Sequence, residues 1–551
     1  NALGQEDTSS FNVAIGREAL KTQNGGEYNV AIGRTAGMLI TTGIQNTIIG
    51  GNAGDALTDA DANVAVGYLA LSSDTLGSDS VAIGRSALES QNFTTATAAY
   101  NVAVGRSAGV NLTTGVRNTL IGAFSGDALT TGSNNIAIGL NALTTEDAGD
   151  FNIAIGSETL EAQDAGDAYN IAIGYAAGKA ITTGTINTLI GGECGNALTS
   201  GNSNTAVGFK ALNDDTKGDR NIAIGAGALQ VQNFTTSTDS HNIAVGYDAG
   251  NDVTTGIFNT IVGGLSGDSL SDADNNTTLG YAALTTDTLG SRSTAIGRSA
   301  LAIQNFTTAT DAYNTAVGYN AGGQVTTGTQ NTIVGGLAGD AMTSGTNNTF
   351  IGMSAAGSGT VTGSDNTAVG IFAGGNLTTG DNNTLLGHDA GVTGSPGGNI
   401  NSEDNHFCLG DENIIELHCQ VSLTAASDER DKTDFSDLDL GLDFVKALEP
   451  VTYYWDKRSK YGDKYADDYD LNAQTPDGTH KEDWMDVGFK AQSVQALEEA
   501  AGYKLSDKKN LTVSLSGDEK QFGLRYEKFV PILVKAIQEL SAEIEKLKSG
   551  G

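Results

Sequence analysis

Proline is nearly missing. The 551 residues hold four, and all of them (Pro396, Pro450, Pro476 and Pro531) lie beyond residue 395. Proline removes a ladder hydrogen bond, so its absence before that point permits unbroken strand pairing there. Tryptophan is scarcer still, with only Trp455 and Trp484. Three cysteines (Cys194, Cys408 and Cys419) cannot make a disulfide framework. His406, Cys408, His418 and Cys419 lack paired C-x-x-C or H-x-H spacing, so neither a metal nor any other cofactor is expected. Basic residues number 30 against 65 acidic ones, a net charge of −35, with −27 of it in residues 1–420. Without a basic patch, tracking of nucleic-acid phosphates is not expected. No apolar run approaches the roughly 18 residues of a membrane helix, so membrane insertion is not expected either.

Glycine, by contrast, is abundant at 74 residues, and much of it is periodic. The pentapeptide N-V-A-I-G at Asn12–Gly16 returns at Asn29, Asn46 and Asn63, and keeps that beat to Asn383–Gly387. Of the twenty-two copies most are 17 residues apart, with two spacings of 18 and three of 21. A fixed period of this length marks a solenoid, in which each repeat is one rung that cannot bury its apolar face alone. In an extended segment Val13 and Ile15 share one face and Ala14 takes the other. The β-branched pair is expected inside, with the small alanine face open to close approach. Gly16 permits a sharp corner, and Asn12 suits a ladder of stacked amides. A second short A-L or A-G segment follows, as at Ala19-Leu20 and Ala36-Gly37, and then a polar turn. The expected fold is an all-β solenoid, a β-roll, over residues 1–390. The chain opens at Asn1 already in register, so an N-terminal attachment region is expected to precede it.

A slower beat runs inside the first. Gln23, Gln91, Gln163, Gln232 and Gln304 recur every 68 to 72 residues, four rungs apart, and each opens a variable turn. Insertions confined to one corner are what a solenoid allows. Three of these turns carry a phenylalanine (Phe93, Phe234 and Phe306), and loop aromatics on a rigid scaffold are candidate receptor contacts. Because the rungs are near-identical, a slip of one rung is expected to cost little, so register has to be set from one end.

The repeated N-x-A-[IV]-G followed by x-x-A-[GL] resembles the β-roll heads of trimeric autotransporter adhesins and the related shafts of phage tail fibres. That resemblance implies three rolls packed side by side. From about His388 the beat stops. Residues 391–426 read as a Gly/Pro/Ser linker followed by a β-hairpin, His406–Gly410 with Ile414–Val421, serving as neck or tip.

From Ser427 the composition turns charged, aromatic and helical. Four blocks follow in order: S-D-E-R-D-K (Ser427–Lys432), Leu440–Trp455, Val487–Leu497 and Phe522–Leu540. Together they resemble the self-cleaving C-terminal chaperone domain of phage tail spikes and fibres, the endosialidase-type peptidase family. The resemblance implies that residues 427–551 are a smaller α+β intramolecular chaperone domain. It also implies that Ser427 is a nucleophile and Lys432 its general base, in a single self-cleavage with no external substrate. Such a lysine must be neutral, which calls for burial or a nearby cation such as Arg430. The last helix carries a heptad of Val530, Leu533, Ile537, Leu540, Ile544 and Leu547. β-branched residues at a and leucine at d formally favour two strands, whereas both resemblances are to trimers.

The function these readings imply is a trimeric viral tail-fibre shaft for attachment to a host-cell receptor, a glycan or outer-membrane component. Other tail proteins would bind at the N-terminal end, and assembly would occur in the host cytoplasm before incorporation into the virion. A bacterial surface adhesin would need a membrane-barrel segment, and the chain ends in Lys546–Gly551 after its heptads. A glycan-degrading spike would need two carboxylates about 5–10 Å apart in a cleft, and the acids here are scattered over turns.

Overall fold

A computed structural model describes residues 2–4, 10–420, 425–464, 466 and 468–550. The chain divides into two compact units, residues 1–314 and 315–551. The first is β-solenoid throughout. Its three-residue strands run from Val13–Ile15 to Thr294–Ile296, and each N-x-A-x-G repeat supplies one. Successive strands pair in parallel and in strict register: Val30, Ala31 and Ile32 lie beside Thr47, Ile48 and Ile49. The Asn ladder expected from the sequence is present and buried. Asn29 Oδ1 accepts from the Asn46 backbone N–H at 2.8 Å, while Asn29 Nδ2 donates to the Gly43 carbonyl at 2.7 Å. Each asparagine thus ties its rung to the next and closes its own turn. The glycine after the strand is sterically required. At Gly33 φ is +141°, and a Cβ would lie 2.3 Å from the Gly50 carbonyl oxygen.

The strand faces are the reverse of the expected ones. The central residue (Ala31, Ile48, Ala65, Leu120 or Ala154) is completely buried. The flanking Val and Ile lie outside, half-buried or exposed, as at Val13, Ile15 and Ile83. The interior is too narrow for two β-branched rows, so alanine faces in. The second segment completes the core: where one rung has Leu88 and another Leu120, the rung between carries Gly109. A Cβ at Gly109 would lie 2.6 Å from Leu120 Cδ1 and 3.1 Å from Leu88 Cδ2.

One interior column explains the slow beat. In two rungs of four it holds aliphatic residues such as Ile40 and Leu57; in the other two it holds an acid and then a glutamine, all completely buried. Asp74 Oδ2 accepts from Gln91 Nε2 at 2.6 Å, and Asp74 Oδ1 accepts from the Gly77 and Phe93 N–H groups at 3.0 and 3.1 Å. Gln91 Oε1 accepts from Asn101 Nδ2 at 2.9 Å. Asp215 with Gln232 and Asn242 repeats the arrangement, as do Asp287 with Gln304 and Asn314, and Glu146 with Gln163 and Asn170. Each acid thus meets its glutamine on one side and an aliphatic side chain such as Leu57 on the other, so the rungs are not interchangeable in the interior.

The second unit continues with strands Thr315–Val317 to Thr384–Leu386 and then an α+β region. The expected hairpin is absent. Phe407–Leu409 instead pairs in parallel with Thr384–Leu386 as a further rung, 23 residues after the one before. Ile414–Gln420 forms no strand, and Val421 lies outside the described residues. The 23-residue spacing, opened by the Gly-Pro stretch, hid this rung from the periodic pattern. Beyond it come helices α1 (Leu442–Ala447), α2 (Ala491–Ala500) and α3 (Phe529–Ser549), and two antiparallel strand pairs. Leu440, Phe444, Val494, Val513, Phe529 and Ile532 form the core of this region.

Candidate functional site

Asp428 caps a short 3-10 turn, Glu429–Asp431, by accepting from the Arg430 N–H at 2.9 Å. That turn brings Lys432 back over Ser427. Lys432 Nζ donates to Ser427 Oγ at 2.5 Å and to the Ser427 carbonyl at 3.2 Å. The two residues expected to form a nucleophile and base are therefore in contact. Arg430 does not serve as the cation beside Lys432, because its guanidinium forms two bonds to Asp428, at 3.0 Å to Oδ1 and 2.6 Å to Oδ2. Those bonds hold the Asp428 carboxyl below the usual carboxylate range. Both Ser427 and Lys432 are exposed among the described residues.

Contacts between the last rungs and the α+β region lie within the second unit. Lys464 Nζ, partly buried, is 2.6 Å from buried Asp389 and 3.0 Å from buried Glu412. Burial alone would lower the lysine pKa, but the two carboxylates outweigh it and raise it. Lys457 Nζ donates to the Glu412 carbonyl at 2.5 Å, and Asp518 accepts from the Asn399 N–H at 3.2 Å. His388, Asp389 and Asp411 converge with ligand atoms within 4.8 Å. The Lys464 ammonium already supplies the positive charge there.

On α3, Phe529, Ile532 and Ala536 face the domain core. The heptad residues Val530, Leu533, Ile537, Leu540, Ile544 and Leu547 are all exposed, from 42% to 78%. The loop phenylalanines are placed otherwise than expected. Phe93, Phe234 and Phe306 are each only 6% exposed. Their backbone N–H groups bond the buried acids, and the Phe93 ring packs against Gly77 of the rung before. They anchor their loops to the roll and leave little ring surface for a receptor. The acids beneath them went unrecognised in the sequence, although each stands 17 residues before its glutamine.

The fold is a β-solenoid followed by a small α+β region that ends in a long helix. Residues 427–503 match the family described as chaperone of endosialidase. Solenoid and chaperone domain fit a protein of the tail-fibre or tail-spike type. No curated protein matches the chain.

Proposed function

We propose that this chain is the shaft of a homotrimeric viral tail fibre that attaches the virion to a host-cell surface. In this reading the C-terminal domain is an intramolecular chaperone that cuts itself free. The carrying observation is the pair of apolar faces that one chain leaves open: the outward Val/Ile column of the roll and the heptad stripe of α3. Each lies opposite a face already used for the chain's own core, so a second and third copy would cover both at once. Trimerisation through α3 would bring three chains into line at the C-terminal end, and the buried Asp/Gln rungs would hold register as winding proceeds.

Self-cleavage rests on the Ser427–Lys432 contact. A neutral Lys432 takes the hydroxyl proton as Oγ attacks a backbone carbonyl, the C–N bond breaks with the lysine returning the proton to the departing amine, and water hydrolyses the ester so formed, parting the chain at or just before Ser427. A neighbouring copy would supply the burial that a single chain lacks, which ties cutting to assembly. Light scattering on the purified protein tests the assembly. For the Ser427→Ala variant, which keeps its C-terminal domain, a mass near three times the 56.3 kDa chain is expected, and a monomer in which both apolar faces stay open would overturn the reading.

A further inference from the structure

The residue after each strand glycine forms an outward column, and over part of the first unit that column alternates large and small. It reads Tyr175, Gly192, Phe209, Ala226, Tyr247, Gly264 and Tyr281 on successive rungs. The four rings are 56%, 57%, 63% and 54% exposed, against the completely buried residues at the strand centres. The small residues make room for the rings. A Cβ at Gly192 would touch Phe209 Cδ2 at 3.5 Å, and one at Gly264 would touch Tyr281 Cδ2 at 3.8 Å. Phe209 and Tyr281 therefore extend over the rung before them, and each takes up a two-rung stretch of surface. Rungs in a parallel ladder repeat at about 4.8 Å, so the rings recur about every 9.6 Å.

We infer that this column is a binding ladder for a linear, neutral polysaccharide of the host surface, one disaccharide per ring. Three observations point to that chemistry. Flat, exposed aromatic rings are the side chains on which the C–H faces of sugar rings stack. The two-rung interval is close to the length of a disaccharide in an extended β-linked chain. The column carries no cation over this stretch and the chain is strongly acidic, which disfavours a polyanion. Polar groups for sugar hydroxyls stand beside the rings. Lys210 Nζ lies 5.5 Å from the Phe209 ring centre and is held by Glu193 at 3.5 Å, and the Tyr247 hydroxyl bonds Asp248. The ladder also lies beyond the glycine corner from the Val/Ile face assigned above to neighbouring chains; at Gly208, between Val207 and Phe209, φ is +142°. The inference rests on the attachment function proposed above and gives it a surface.

The test uses full-length protein on an array of linear β-linked glucose and N-acetylglucosamine oligomers, from disaccharides to decasaccharides. Wild type should bind with affinity rising in steps of two sugars. Phe209→Ala and Tyr247→Ala should each weaken binding roughly three- to tenfold, and together more. Tyr68→Ala, an exposed ring outside the alternating stretch, should leave binding unchanged. Wild-type binding to host cells is measured alongside. Attachment to cells without binding to any oligomer would overturn the ladder while leaving the attachment function intact. Oligomer binding without cell attachment would do the reverse. Equal affinity of wild type and Phe209→Ala/Tyr247→Ala would overturn the ladder, as would a change in their mass by light scattering, which would reassign the column to contact between chains.

Discussion

Gln91 Nε2 lies 2.6 Å from Asp74 Oδ2 on the rung beneath it, and both side chains are completely buried. This pair and its counterparts are the polar breaks in an otherwise aliphatic column, and they have a measurable signature. Gln232→Leu leaves Asp215 Oδ2 without its partner and should cost about 1–3 kcal/mol. Asp215→Leu with Gln232→Leu removes the buried carboxylate but also strips the Gly218 and Phe234 N–H groups of their acceptor, so it should recover only part of that cost. Thermal melts followed by far-UV circular dichroism separate the two. If the double variant melts below the single one, the network stabilises the roll directly and register is not its main role.

The inverted strand predicts opposite outcomes for adjacent residues. Ala154→Asp places an unpaired charge in the interior and should prevent soluble rolls from forming. Ile155→Asp lies on the outer face, so the roll should still wind while its association fails. Circular dichroism reads the first effect and light scattering the second. Aggregation of both variants alike would contradict this assignment of faces.

Acid should act in opposite directions on the two kinds of carboxylate. Burial raises the pKa of Asp215 and Asp287 against the bonds from Gln232 and Gln304. Folding then binds protons, so the stability they confer falls as pH climbs from the ordinary carboxylate value through the raised one. Burial would also raise Asp411, but its bonds from Asn413 and His388 and the nearby Lys464 hold it below the usual range. Its contribution is present above the ordinary value and is lost as pH falls through the depressed one. The two tryptophans, Trp455 and Trp484, report only the C-terminal region. Their fluorescence should therefore show unfolding at low pH while the dichroism of the roll persists. The Asp215→Leu/Gln232→Leu variant should show a weaker rise in roll stability on acidification than wild type.

Lys464→Met removes the cation shared by Asp389 and Glu412 and leaves two buried carboxylates facing each other. The expected cost is about 3–5 kcal/mol. Urea titration monitored by tryptophan fluorescence should show a lower midpoint, with the far-UV transition of the roll unmoved.

Self-cleavage is read on a denaturing gel. Wild type should yield a C-terminal fragment beginning at or near Ser427, whereas Ser427→Ala and Lys432→Ala should remain full length. Equal full-length bands in all three would end the proteolytic reading and leave the chaperone reading in place.

Periodicity told which residues share a face of the strand, because a 17-residue repeat of N-x-A-x-G admits only one register. It could not tell which face is inside. Ala154 and Ile155 are both apolar, and the deciding quantity is the width of the interior, which only the closed coil reveals. The loop phenylalanines misled for a related reason: a lone aromatic in a polar turn reads as exposed until Asp74 and Gly77 are seen beneath Phe93. The Ser427–Lys432 contact, by contrast, was legible because both residues lie in one hexapeptide, and a local turn suffices to bring them together.

The Asp/Gln rungs also govern how such a molecule can change length. Removing the rung of an acid or of its glutamine would leave the other buried without its partner, whereas removing a block of four brings each acid back beneath a glutamine. The solenoid of the first unit thus repeats its interior in steps of about 19 Å. Recombination between blocks of four rungs should shorten or lengthen the solenoid with its polar interior intact.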